Sequence, residues 1–520
     1  MGAAKTTRWT GLGVDPTDVS AADNYDNGAP DPAADAPGDT IACGITPAGI
    51  PASRFNSGTF NFIFDGGAAG VEWWILAPAA IGTIAVTDGA PSNSNFPWSS
   101  ATCSGGTYTV GAALAGDVVL AGGGLTLGGA LDGQVSATAD SAIDWGGQGI
   151  AGSFDASGHA ITHANATGTL TIDTAGNLDL GVTVDANNPL AASTAALHVV
   201  VNLAGTATAT RGTSVKTYTR TAGTFVDGGF THFVGGLLSI ASGTSGFNST
   251  GVWDQTASGD AANANSANAF AHVRLGGAGV NSVLAANLWA HEFTAKAGGT
   301  ISGAGKVLTI DTFGNDKWHQ PVGSAALSVG SVLVYVQDSY TWGRMEASAV
   351  AGGVSFSFSA GNKTLTAIGD WLLGARALSL FRFGDAVADA VDMNGRHIQA
   401  GNVSLGYNAK SSTITLKLGN AAHRISGTLG RAAGSTGTQA IEMGTSLLDI
   451  TGGALNGAGI TVTNTASHIQ GGTVSNVNNG STEPIHCHGS INLAPGNTNT
   501  NVDFDAAPAP GSRALCGMGV

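Results

Sequence analysis

Few residue types in this chain could do chemistry. There are five glutamates, Glu72, Glu292, Glu346, Glu442 and Glu483. The aspartates of the strand-rich middle that could point outward are Asp173, Asp179, Asp311, Asp316, Asp338 and Asp370. Polysaccharide cleavage generally takes two carboxylates, about 5–5.5 Å apart for retention and about 6.5–9.5 Å for inversion. No two acids stand at i,i+2 beside an aromatic cluster, and an aspartate at a chain corner ordinarily closes a turn. The sequence therefore assigns no catalytic residue. It leaves one hydrolytic arrangement open, a carboxylate pair formed across neighbouring turns of the chain.

Two other chemistries can be read. Aromatic faces stack on sugar rings, and Trp253, Trp289, Trp318, Trp342 and Trp371 are spread through the middle. Trp318 sits in the polar stretch GNDKWHQP, and Trp342 in DSYTWGRME together with Tyr340, so Trp318, Trp342 and Tyr340 are the expected exposed glycan platforms. Metal ligation is the other chemistry. In Glu483-Pro-Ile-His486-Cys487-His488 a strand would put His486 and His488 on one face and Cys487 on the other. Two imidazoles under-coordinate a metal ion, whereas three chains around a threefold axis would supply six. No other cofactor is indicated.

The elements that must carry these residues are strands. Gly accounts for 80 of 520 residues, and charged residues for only 11%. That is about twice the ordinary glycine usage and less than half the ordinary charge. A hydrophobic fraction of 43% excludes a disordered chain. Short alternating runs recur from about residue 111 to 470: LTIDT at 170–174, LHVVVNL at 197–203, SVLVYV at 331–336, VSFSFS at 354–359 and TITLKL at 413–418. In the last, Ile414, Leu416 and Leu418 share one side, and Thr413, Thr415 and Lys417 the other. Gly, Asn, Ser and Asp fill the gaps, and these residues suit tight turns.

Irregular repetition points to a solenoid. LTIDTAGN at 170–177 returns as LTIDTFGN at 308–315, and DASGHAI at 155–161 parallels DMNGRHI at 392–398. One strand–turn unit per repeat is the signature of a right-handed parallel β-helix, at roughly 20–25 residues per coil. The division expected is an acidic, proline-containing arm at 1–40, a β cap at 41–110, the β-helix at 111–470 and a C-terminal cap at 471–520, since exposed solenoid ends require covering.

Net charge is −15, so no basic surface announces a nucleic-acid partner. No run of eighteen apolar residues suggests a membrane span, and the N-terminal stretch lacks an export signal. A surface-type composition without export fits a protein assembled in a host cytoplasm and released in a particle, that is, a virion component. Cys43, Cys103, Cys487 and Cys516 contain no CxxC; they are read as reduced thiols, with Cys43–Cys103 and Cys487–Cys516 bridges left open.

Trp9-Thr10-Gly11, Ala21-Ala22-Asp23-Asn24-Tyr25 and Pro37-Gly38-Asp39-Thr40-Ile41 together resemble the opening motif that precedes parallel β-helices in bacterial surface adhesins and phage structural proteins. Tyr25 stands where that motif usually has Trp. AVDMNGRHIQAGNVSLG at 390–406 is similar to a coil of the pectin-lyase-like β-helices, and the His486/His488 pair resembles the metal-binding tip of phage spikes. The resemblance implies fold more than activity. Trp9 would cover the open end of the first coil and Asp39 would bond its turn amides, making these two the anchoring residues. The expectation is a non-enzymatic bacteriophage virion protein. It would be a homotrimeric capsid decoration or spike that contacts other virion proteins and host-surface polysaccharide. A depolymerising tailspike and a bacterial adhesin are the alternatives.

Overall fold

The computed structural model describes residues 6–8, 26, 40–43, 59–64, 72–73, 80–87, 92–93, 98–111, 114–240, 247–263, 266–312, 317–359, 361–385, 387–493 and 499–504. Among these the secondary structure is almost entirely β, with two short 3₁₀ turns at Pro189–Ala191 and Ser266–Asn268. The strands pair in parallel, and the chain forms a parallel β-solenoid of about 18 turns. No helix among the described residues is long and apolar enough to cross a membrane. The chain divides into two compact units, Met1–Thr256 and Ala257–Val520.

In the first unit the turns begin narrow. Ile84, Ala101, Val118, Val135, Phe154 and Leu178 lie in one register column, and the first four follow one another at a constant short step. All six are buried. A second column runs Leu114, Leu131, Ile150, Leu170, Val199, Tyr218 and Leu238. The step from Leu170 to Val199 is longer because the loop holding Pro189–Ala191 is inserted there. A third sheet face stacks Tyr108, Leu125, Ile143 and His163.

In the second unit the turns widen. Leu288, Leu308, Val332, Val354, Leu378, Val403, Leu429, Leu455 and Val474 form an unbroken buried ladder, each step longer than those between Ile84 and Val135. Leu365, Val391, Leu416, Ile441 and Val462 form another. Ile414, Leu416 and Leu418 are buried while Thr413, Thr415 and Lys417 are not, as the alternation predicts. Each buried aliphatic side chain packs on the same column in the turns before and after it. Burying one is worth about 1.5–3 kcal/mol, so the ladders supply the main stabilisation of a chain with little charge.

The corners explain the repeats. In DASGHAI, Asp155 Oδ1 accepts the amide of Ser157 at 2.8 Å, Ser157 and Gly158 have φ of 50° and 86°, and the His159 amide bonds Ala156 O. In DMNGRHI, Asp392 Oδ1 accepts the amide of Asn394 at 2.8 Å, Asn394 and Gly395 have φ of 46° and 73°, and the Arg396 amide bonds Met393 O. Two successive positive-φ residues make a type I′ turn, which selects Asn, Ser and Gly at these positions.

The ladder is not confined to residues 111–470. Thr40–Cys43, Thr59–Phe64, Ala80–Val86 and Trp98–Cys103 already pair in parallel, and Ile485–Leu493 and Val502–Phe504 continue the pairing past residue 470. The same register removes one disulfide. Cys43, Phe64, Val86 and Cys103 occupy one column, so the two cysteines stand three strand spacings apart, about 14 Å, well beyond bridging distance. Cys103 is a buried thiol, and burial pushes its pKa up to about 12. Cys516 lies outside the described residues.

Candidate functional site

The expected glycan platforms are interior. Trp318, Trp342 and Tyr340 are only 1%, 0% and 4% exposed. Alternation is the reason. In Lys317-Trp318-His319 the flanking polar residues face outward, and Trp318 faces inward in register with Phe293. Ring centroids continue the stack from turn to turn: Phe293–Trp318 at 4.8 Å, Trp318–Trp342 at 5.7 Å, Trp342–Phe356 at 5.3 Å and Phe356–Trp371 at 4.9 Å. The ring faces are occupied by one another and offer nothing to a sugar. The anchoring residues Trp9 and Asp39 lie outside the described residues.

The carboxylates sort by what holds them. Asp227 is buried at a corner of the first unit. It accepts from Ser249 Oγ at 2.8 Å, the Thr250 amide at 2.8 Å, Trp253 Nε1 at 3.0 Å and the amides of Gly251 and Gly229. Burial opposes its ionisation, yet these donors hold its pKa below the usual value. The Asn248-Ser249-Thr250 stretch is thus the partner of this corner. Asp179 accepts the amides of Gly158 and Gly181, and Asp370 the amide of His397. Asp338 pairs with Lys363 at 2.9 Å, and Asp311 accepts from Gln337. Asp316 lies outside the described residues.

The C-terminal histidines gain a neighbour that local sequence did not reveal. His468 stands beside His486 in register, and its Nδ1 is 2.7 Å from Nε2 of His488. The rings stack at 28–30°, and His486 Nδ1 is 3.8 Å from Asp503. Among the described residues no group of three or more His, Cys, Asp or Glu is arranged to hold a metal ion.

Two outward clusters were not anticipated. The first centres on Glu292. His272, Glu292 and Lys317 lie side by side on successive turns, with Arg274, Thr294 and His319 beside them in the next column. Glu292 Oε1 lies 3.1 Å from His272 Nδ1 and 3.0 Å from His319 Nε2, and Oε2 accepts from Lys317 Nζ at 2.8 Å. His272 Nε2 is 2.8 Å from Thr294 Oγ1. Burial opposes ionisation of Glu292, but the Lys317 bond and the neighbouring imidazoles hold its pKa below the ordinary value. His272 is lowered to about 4, chiefly by burial and against the pull of Glu292.

The second cluster is aromatic. Phe381, Phe383 and Tyr407 pack edge to face and tilted, with centroids 4.7–5.3 Å apart, while Phe383 stays 49% and Tyr407 37% exposed. No family model, curated protein or solved structure matches this chain. The reading of function therefore rests on this chain's own sequence and structure. Alternation in HEF and KWH was the available signal for the Glu292 cluster. What joins the two segments is a turn of the coil whose length no local pattern announces.

Proposed function

We propose that this protein is a structural component of a bacteriophage particle, a right-handed β-solenoid that assembles as a homotrimer and presents its outward faces to the host surface. Its role as a scaffold needs no catalysis. The observation that carries the reading is the unbroken interior ladder, beside which corner carboxylates such as Asp155, Asp179, Asp227 and Asp392 bind main-chain amides of their own or the adjacent turn. A chain that devotes its acids to corner geometry and its outward strands to Ser and Thr suits a durable, weakly charged display surface. The resemblance of the opening segments to the motif that precedes β-helices in phage structural proteins and bacterial adhesins is compatible with this setting. The exposed rings of Phe383 and Tyr407 are the surface we assign to host glycan, because rings with solvent-facing area stack on pyranose faces.

The test uses intact particles and the purified chain. Antibody against the chain should decorate virions, and sedimentation should give three chains per assembly. The chain should be retained on host polysaccharide and lose retention with Phe383→Ala and Tyr407→Ala together. Unlabelled particles and a monomer in solution would overturn the reading. Release of oligosaccharide would move it to a depolymerase.

A further inference from the structure

The Glu292 cluster carries an activity that the scaffold role does not require. We propose that Thr294, His272 and Glu292 form a nucleophile, base and orienting acid that hydrolyse carboxylic esters with small acyl groups.

The geometry assigns each role. Glu292 is held as a carboxylate by Lys317 and His319, so it can only accept hydrogen bonds. His272 Nδ1 lies 3.1 Å from that carboxylate, a contact that favours the ring proton on Nδ1. In the neutral ring Nε2 is then bare, and it accepts the hydroxyl proton of Thr294 at 2.8 Å. A base hydrogen-bonded to a hydroxyl and oriented by a third group is the general arrangement of an activated nucleophile. Burial keeps His272 unprotonated at neutral pH, which leaves it free to act as base.

The strands fix this arrangement. Between the outward members Val273, Phe293, Ala295 and Trp318 point inward and are buried, so each reacting side chain stands on a packed strand. Arg274 and His319 flank Thr294 in register on the turns before and after it.

The reaction balances with water as the only co-reactant. Thr294 Oγ1 attacks the ester carbonyl carbon as its proton passes to His272 Nε2. The carbon–oxygen bond to the alcohol breaks, and that alcohol takes the proton from Nε2. Water then attacks the acyl-threonine, giving one proton to Nε2. The acid leaves, and Thr294 recovers its proton. Glu292 touches no substrate and is a positioning residue.

The experiment uses the full chain, p-nitrophenyl acetate and a fluorophosphonate that exchanges fluoride for a nucleophilic oxygen. Wild type should release p-nitrophenolate catalytically, and peptide mass mapping should place one phosphonyl group on Thr294. Thr294→Ala should abolish both signals, whereas Thr294→Ser should keep them. His272→Gln should lower turnover at least about a hundredfold. Glu292→Gln should lower turnover and move the acidic limb of the pH–rate profile to lower pH, because the charge that favours imidazolium is gone. A structural role would leave that limb in place. Each variant is compared at an unchanged melting temperature. Hydrolysis by Thr294→Ala at the wild-type rate, or a folded wild type unmodified at Thr294 and no faster than free imidazole, would overturn the proposal.

Discussion

The corner at Asp227 and the strand face at Glu292 both gather donors around one carboxylate, but from different sources. Asp227 is held largely by main-chain amides and by Trp253 within its own turn and the next. Glu292 is held by side chains alone, from the turns before and after it. An acid bound to the backbone sets the path of the chain. An acid bound to side chains can change its partners without changing that path. Position along the coil thus separates shape from chemistry, although both residues look alike in composition.

The contrast can be broken or sharpened by substitution. The largest effect sets the scale and belongs to the interior. Leu416→Asp puts an unpaired charge into a dry ladder and should cost about 4 kcal/mol or more, read as unfolding or loss of assembly in chemical denaturation. Melting like wild type would contradict the inward assignment of Leu416. Asp227→Ala should come next, at about 3 kcal/mol, because buried amides and the Trp253 indole lose a charged acceptor. A change under about 0.5 kcal/mol would erase the distinction drawn for corners.

A third effect follows from pH. His423 is buried, with Nε2 on Leu418 O and the Ile398 amide on Nδ1, and burial lowers its pKa from 6.5 to about 4. The unfolded chain then takes up a proton at higher pH than the folded one. Stability is therefore full above about pH 6.5 and falls as pH drops toward 4, by roughly 3 kcal/mol from this residue. Denaturation midpoints measured from neutral pH down through that range should show the loss, and His423→Gln should remove this residue's share of it. The smallest effect is the most informative. Glu292→Gln should change stability by less than about 0.5 kcal/mol, since the site is partly exposed and its partners can turn to solvent. A loss like that of Asp227→Ala would make Glu292 another structural acid.

Much of the fold was legible because strand alternation and corner chemistry are local. TITLKL exposes its inward and outward sides within one short strand, and an Asp-x-x-Gly corner contains its own acceptor and its positive-φ positions. The surface was less legible because its neighbours come from adjacent turns of unequal length. Lys317-Trp318-His319 reads as a polar loop until Trp318 is set against Phe293, after which its neighbours fall on Glu292. His488 could not be matched with His468 without knowing how much chain the turn between His468 and His486 takes. The variation in step length, short from Val118 to Val135 and long from Val403 to Leu429, is what hides such partners.

The central claim is that successive repeats stack as coils, and spin-label distances test it most directly. Thr341, Thr366, Asp392, Lys417, Glu442 and Thr463 occupy one column on consecutive turns. With one label at Thr341 and the other at Lys417, Glu442 or Thr463, backbone separations should rise through about 14, 19 and 24 Å, one strand spacing per added turn. Separations that do not grow with turn number, or that jump by a domain's width between neighbours, would contradict the stacked-coil account.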